Sequence, residues 1–168
     1  MTTLPALISQ IGLLAYHQIT TWFDLHPFNG VRHYSVREKV AEAGANAVLM
    51  SLAPIGFGFH LKALMTFGVY YYFILFAIEL TIWWVPYFTV PTGFWRMAYN
   101  RVLSLATSNF EKGDTLDHWV AIHHRLHLDT VTLLPRRPGR PVPNLEHMIL
   151  HGLTLITALI TFAAYRAL

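Results

Sequence analysis

His147 and His151 stand four residues apart, a spacing that puts two imidazoles on one face of a helix, where they can chelate one metal ion or share one substrate proton. Glu79 and His17 lie in other apolar stretches, and the four together compose a set suited to two chemistries. His147, His151 and Glu79, with His17 in reach, offer the imidazole and carboxylate donors that zinc or non-haem iron takes. The same side chains without a metal make a His–Glu pair for general acid–base catalysis. Asp24 and Asn46 are expected to orient this set. Arg32 is the natural anion contact if the loop that carries it closes over the site.

A second histidine group lies at His118, His123, His124 and His127. On a helix His123 and His127 again share a face, and His123, His124 and His127 form a second candidate metal set. Membrane-bound di-iron hydroxylases and desaturases also hold histidine clusters beside a helical bundle, in boxes of the form HxxxH and HxxHH. Here HHxxH precedes a single HxxxH, so the order differs and a box is missing, and the pattern does not assign the chain to that family. A third reading pairs His17 with His147 or His151 as axial ligands of haem b. The non-catalytic alternative is that neutral histidines bridge helices by hydrogen bonds, with the second group on the wetted face of an amphipathic helix.

The elements that must position these residues follow from composition. Of 168 residues, 54% are apolar and only 12% charged, and the mean hydropathy is +0.40. Soluble domains carry about a quarter charged residues, so this chain lacks the polar coat of a cytosolic enzyme and is far too apolar for disorder. With no cysteine it has no disulfide, thiolate metal site or iron–sulfur cluster. The net charge of +3 comes without any Lys/Arg run interleaved with aromatics, so no nucleic-acid partner is expected.

Four apolar runs, 4–23, 40–59, 63–87 and 145–165, are each about long enough to cross a hydrocarbon core of about 30 Å. The first has neither a basic n-region nor a cleavage site and is read as a retained span. Only His60, Leu61 and Lys62 separate the second and third, so segments 24–39 and 88–144 share one side. Of the twelve Lys and Arg, only Lys62 and Arg166 fall on the other. The basic side is the cytoplasmic one, which places both termini on the non-cytoplasmic side. The expected fold is an all-α integral membrane protein, a single antiparallel four-transmembrane-helix bundle with cytoplasmic interfacial helices at Phe94–Leu105 and Leu116–Leu128, the latter capped by Asp114. Pro135–Pro143 reads as a basic, proline-rich linker that can lie on anionic headgroups.

Within the spans, Gln10, His17, Thr21 and Asp24 share one helical face, as do His147, His151, Thr154, Ala158, Thr161 and Tyr165. Together with Glu79, Glu42 and Asn46 they put polar groups from all four spans at one level, near the cytoplasmic boundary. The aromatic loop Trp22–Tyr34, with a turn at Asn29-Gly30, is expected to fold over that mouth and to bring Asp24, His26, Arg32 and His33 to the intramembrane groups. These features lead to a membrane-embedded enzyme acting on a lipidic or amphipathic small molecule that enters from the bilayer, by metal-assisted or acid–base chemistry at His17, Glu79, His147 and His151. The alternatives are a structural subunit of a larger membrane complex or homo-oligomer, and a haem-b electron-transfer protein.

Overall fold

The computed structural model describes residues 3–90, 92–106 and 116–168, and these are helical with no strand among them. The helices are α1 (Leu4–Trp22), α2 (Val36–Gly58), α3 (Lys62–Glu79), α4 (Val85–Phe88), α5 (Gly93–Ala106), α6 (Leu116–His127) and α7 (Leu145–Arg166). A π-helical turn, Leu80–Trp84, joins α3 to α4 so that Lys62–Phe88 is one continuous run. Three stretches are long and apolar enough to cross a membrane: α2, Lys62–Phe88 and α7. α1 matches them in length but is more polar, carrying Gln10, Tyr16, His17, Gln18, Thr20 and Thr21. It packs against α2 and α7, and α3 packs against the same two helices. The expected Asp114 cap lies outside the described residues.

The distribution of side chains is that of a fold with an apolar solvent. Ile8, Ile11, Val48, Ile55, Tyr70, Ile74, Ile156 and Leu159 are exposed, while Gln10, Glu79, His151, Thr154, Thr157 and Thr161 are buried. Three of the packed helix pairs are tied by hydrogen bonds from buried or half-buried polar side chains. Gln10 Nε2 donates to Thr161 across α1 and α7 at 3.0 Å, Gln18 Nε2 to the Ala43 carbonyl across α1 and α2 at 3.0 Å, and Thr154 Oγ1 to Glu79 across α7 and α3 at 3.0 Å.

The α2–α3 hairpin is closed by small residues. A Cβ at Gly56 would come within 2.7 Å of Leu64 and Met65, and one at Gly68 within 2.6 Å of Ala53, so neither helix could approach the other with a larger side chain there. The Leu61 N–H reaches back to the Gly56 carbonyl at 2.8 Å, past His60 in the left-handed region at φ 55°, and ends α2. α2 starts four residues earlier than periodicity predicts, because Ser35 and Glu38 form a reciprocal capping box.

Two prolines shape the interior by what they omit. Pro54 has no N–H to offer the Met50 carbonyl, and that carbonyl accepts the Tyr72 hydroxyl at 3.4 Å. Pro86 likewise leaves the Ile82 carbonyl without its usual helical donor, and that carbonyl accepts Tyr99 Oη at 2.9 Å and Trp119 Nε1 at 3.2 Å. The second pair docks α5 and α6 beneath the end of Lys62–Phe88, where Ile82, Trp83, Tyr99, Leu116 and Trp119 form a buried cluster.

Two connecting segments depart from expectation. In the proline-rich linker, Arg136 donates to the carbonyls of His127 and Thr130, capping α6, and Arg140 donates to those of Tyr87 and Phe88, capping α4. Arg137 lies over the Tyr87 ring at 5.0 Å. These arginines therefore serve helix carbonyls, the C-terminal sites that favour cations. The first loop folds back, but onto α6. Asn29 is buried and fully bonded, donating to the Thr20 and Phe23 carbonyls and accepting from the Leu25 N–H. A Cβ on the neighbouring Gly30 would overlap the Leu126 carbonyl.

Gly30→Ala is therefore expected to lower the thermal stability of the detergent-solubilised protein, by about 1–3 kcal/mol of overpacking strain. Gly44→Ala, inside α2 with no atom within 4 Å of the added methyl, is expected to keep or slightly raise the melting temperature. Equal effects of the two would contradict the packing of the first loop on α6.

Candidate functional site

The site is built around the π-helical turn. Its extra residue per turn rotates the chain so that consecutive tryptophans both face the imidazoles of α6 and α7. The Trp83 ring lies 4.0 Å from the His147 ring and 4.5 Å from that of His123, with His127 at 5.7 Å and His151 at 6.1 Å. The Trp84 indole N–H donates to His151 Nδ1 at 2.9 Å. An indole nitrogen can only donate, so Nδ1 of His151 is an acceptor and the neutral ring carries its proton on Nε2. That Nε2 is buried and has no partner.

His147 has the opposite tautomer. Asn144 caps α7 through Oδ1, which accepts the His147 backbone N–H at 3.0 Å and His147 Nδ1 at 2.6 Å, while Glu146 Oε2 lies 3.0 Å from the same Nδ1. Two acceptors on Nδ1 assign a proton there, so Nε2 is the nitrogen at which the ring gains or loses its second proton. The Asn144 amide nitrogen turns to His127 Nδ1 at 3.3 Å, tying α6 to the start of α7. One face of α7 thus presents a basic nitrogen at His147 and a donor at His151.

A cavity of about 350 Å³ opens among these groups, lined by His17, Glu42, Asn46, Glu79, His147, His151 and Thr154 together with Tyr34, Glu38, Trp83, Trp119 and aliphatic side chains. The four residues read from sequence as the chemical set, His17, Glu79, His147 and His151, are all buried and all line it. His17 Nε2 is 3.8 Å from Glu42. Its Nδ1, and Glu79 Oε2, have no hydrogen-bond partner. Asn46 is at the wall, where its amide donates to the Glu42 backbone carbonyl one turn back in α2 rather than to a side chain of the set.

Other candidates are placed elsewhere. Asp24 and Arg32 are not at the cavity: Arg32 lies 3.7 Å from Asp24 and 3.8 Å from Asp129 on the outer surface, where His26 and His33 also meet Asp129. The charges of the first loop are drawn to Asp129, the carboxylate just beyond α6, because the loop docks there. The loop contributes Tyr34 to the wall instead. His124 is exposed and apart from His123 and His127, which are buried against Trp83. Among the described residues no three His, Asp or Glu side chains are grouped so as to hold a metal ion. Of the three imidazoles in the haem reading, His17 lies beside Glu42, His147 against Asn144 and Glu146, and His151 under Trp84.

Sequence reasoning passed over Trp83, Trp84, Asn144 and Glu146 as site residues. Asn144 was legible as a cap. The role of the tryptophans depends on the π-helical turn, which periodicity does not reveal. Comparison with family models, with curated proteins and with solved structures finds no match to this chain.

Two outcomes test the geometry. Trp84→Phe removes the only hydrogen bond described at His151 Nδ1, so ¹⁵N spectra of the imidazoles are expected to show His151 as the Nε2–H tautomer in the wild type and as a mixture in the variant. For His123 and His127, burial and then the neighbouring His147 hold both imidazoles well below the ordinary 6.5. The unfolded chain takes up these protons near pH 6.5 while the folded chain does not, so stability is complete above that pH and declines as pH falls below it. His123→Gln is expected to flatten the loss in melting temperature between about pH 7 and about pH 5; an unchanged slope would remove His123 from the account.

Proposed function

We propose that this chain is a membrane-embedded enzyme that acts on a lipidic or amphipathic small molecule by general acid–base chemistry. The observation that carries the reading is the convergence on one cavity of a basic imidazole nitrogen, an imidazole N–H donor and a buried carboxylate oxygen, the last two without protein partners. Buried polar atoms left unpaired are costly, on the order of 1–3 kcal/mol each, and a site that awaits a ligand is a common reason for them. In this reading His147 Nε2 accepts a proton from the substrate, its ring held by Asn144 and Glu146. His151 Nε2–H donates to oxygen or nitrogen as negative charge builds there, and Glu79 orients the reacting group. The acid–base arm is preferred to the metal-assisted one because the Trp84 donor leaves His151 Nε2 protonated and because, among the described residues, no three His, Asp or Glu side chains are grouped.

The reading includes the topology: α1, α2, Lys62–Phe88 and α7 as four antiparallel spans, α5 and α6 at the cytoplasmic interface, and both termini on the opposite side, as the distribution of Lys and Arg argues. A structural subunit is the second reading. It is favoured by the His127–Asn144–His147 chain, which joins helices without needing a substrate.

The test is a comparison of membrane extracts by mass spectrometry from cells producing the wild type, His147→Ala or Glu79→Gln. Species that accumulate or vanish only with the wild type are expected, with turnover in His147→Ala down by about 10²- to 10⁴-fold and chelator treatment without effect. Identical extracts, together with a lower melting temperature for both variants, would transfer the histidines to the structural reading.

A further inference from the structure

The carboxylates around the cavity differ in how their charge is met. Glu38 is paired with Arg125 at 2.7 Å, Glu42 lies 3.8 Å from His17, and Glu146 is 3.0 Å from His147. Among the described residues Glu79 makes no such close pair, although the His147 imidazole interacts with it electrostatically across the cavity. The Glu79 side chain is buried, with 7% exposure, its Oε1 accepts from Thr154, and its Oε2 faces no donor. An ionised carboxylate in that position, among Leu75, Ile78 and Leu150, is strongly unfavourable without a counter-charge. A protonated one would still leave a donor unmet. Among the described residues no Lys or Arg lines the cavity.

Resting on the acid–base reading of the same site, we propose that the cavity binds a protonated amine with an apolar body, an ammonium N–H donating to Glu79 Oε2. The volume of about 350 Å³ falls within the range of small-molecule pockets. The aliphatic residues accommodate the body, and the rings of Trp83 and Trp119 in the wall attract a cation and repel an anion. An anionic amphiphile of the same size would meet Glu79 and Glu42 and is excluded. The ammonium also carries a proton that His147 Nε2 can accept, leaving the neutral amine, which makes this class of ligand consistent with the chemistry.

The test is calorimetric titration of the full chain in phosphatidylcholine nanodiscs with phenethylamine, with its carboxylate analogue 3-phenylpropionate and with the alcohol 3-phenylpropanol, each corrected against empty nanodiscs. Saturable amine binding is expected, without carboxylate binding, and with at least about a tenfold loss of affinity in Glu79→Gln, a variant that keeps the size of the side chain and the bond from Thr154. Leu75→Trp, which fills the cavity and leaves Glu79 in place, is expected to abolish binding, and keeps the test decisive if Glu79→Gln does not fold. Equal binding of amine, alcohol and carboxylate, or amine binding unchanged in a folded Glu79→Gln or in Leu75→Trp, overturns the proposal. Amine binding with unchanged membrane extracts supports this ligand class and retires the enzyme; changed extracts without amine binding overturn the ligand class and leave the enzyme standing.

Discussion

Between apolar helices there is little water to complete a hydrogen bond, so a buried polar group has to find its partner in the chain. Asn144 shows how much of the molecule hangs on that requirement. Its amide oxygen serves the first turn of α7 and the His147 ring, and its amide nitrogen serves His127 at the end of α6. One side chain thereby starts a helix, sets a tautomer and fastens a second helix. The segment leading into it is buried, and the arginines before it spend their donors on the carbonyl ends of α6 and α4.

The same requirement explains the prolines. Each removes a donor from a helix and so exposes a carbonyl, at Met50 and at Ile82, and each carbonyl is met by an aromatic hydroxyl or indole from another helix. At Ile82 this coincides with the π-helical turn, and the turn is what delivers Trp83 and Trp84 side by side to the histidines. Docking of α5 and α6, orientation of the tryptophans and proton placement on His151 are thus consequences of one irregular stretch of backbone. Where the requirement is not met among the described residues, Glu79 Oε2, His17 Nδ1 and His151 Nε2 belong to residues of one cavity wall, whereas the unmet atoms of Gln10 and His123 lie outside it.

Much of this was legible in the residues themselves. Polar positions recurring at helical spacing marked the inner faces of α1 and α7, and Gln10, His17, Thr154 and Thr161 are indeed buried. Asn144 after Pro143 marked the start of α7, and the convergence of His17, Glu42, Asn46, Glu79, His147 and His151 followed from matching their depths along antiparallel helices. The charged loop residues were read less well. Asp24 and Arg32 are near the mouth in sequence, but an exposed charge goes to the nearest opposite charge that the packing provides, and Asp129 is brought there only by the fold.

Composition and periodicity led to a helical chain with four apolar runs, of which the last three are long and apolar enough to cross a membrane while the more polar first is not among them, and to the faces that turn inward, because burial of apolar surface and exclusion of polar surface act on each helix separately. Which nitrogen of each histidine carries its proton, which carboxylate is left without a close counter-charge, and which histidines of the 123–127 group face the interior were decided only by tertiary structure. Those properties depend on contacts between residues far apart in the chain: Trp84 with His151, Thr154 with Glu79, Trp83 with His123. A hydrogen bond is short and directional, so its existence depends on ångström-scale placement that no spacing along one helix contains.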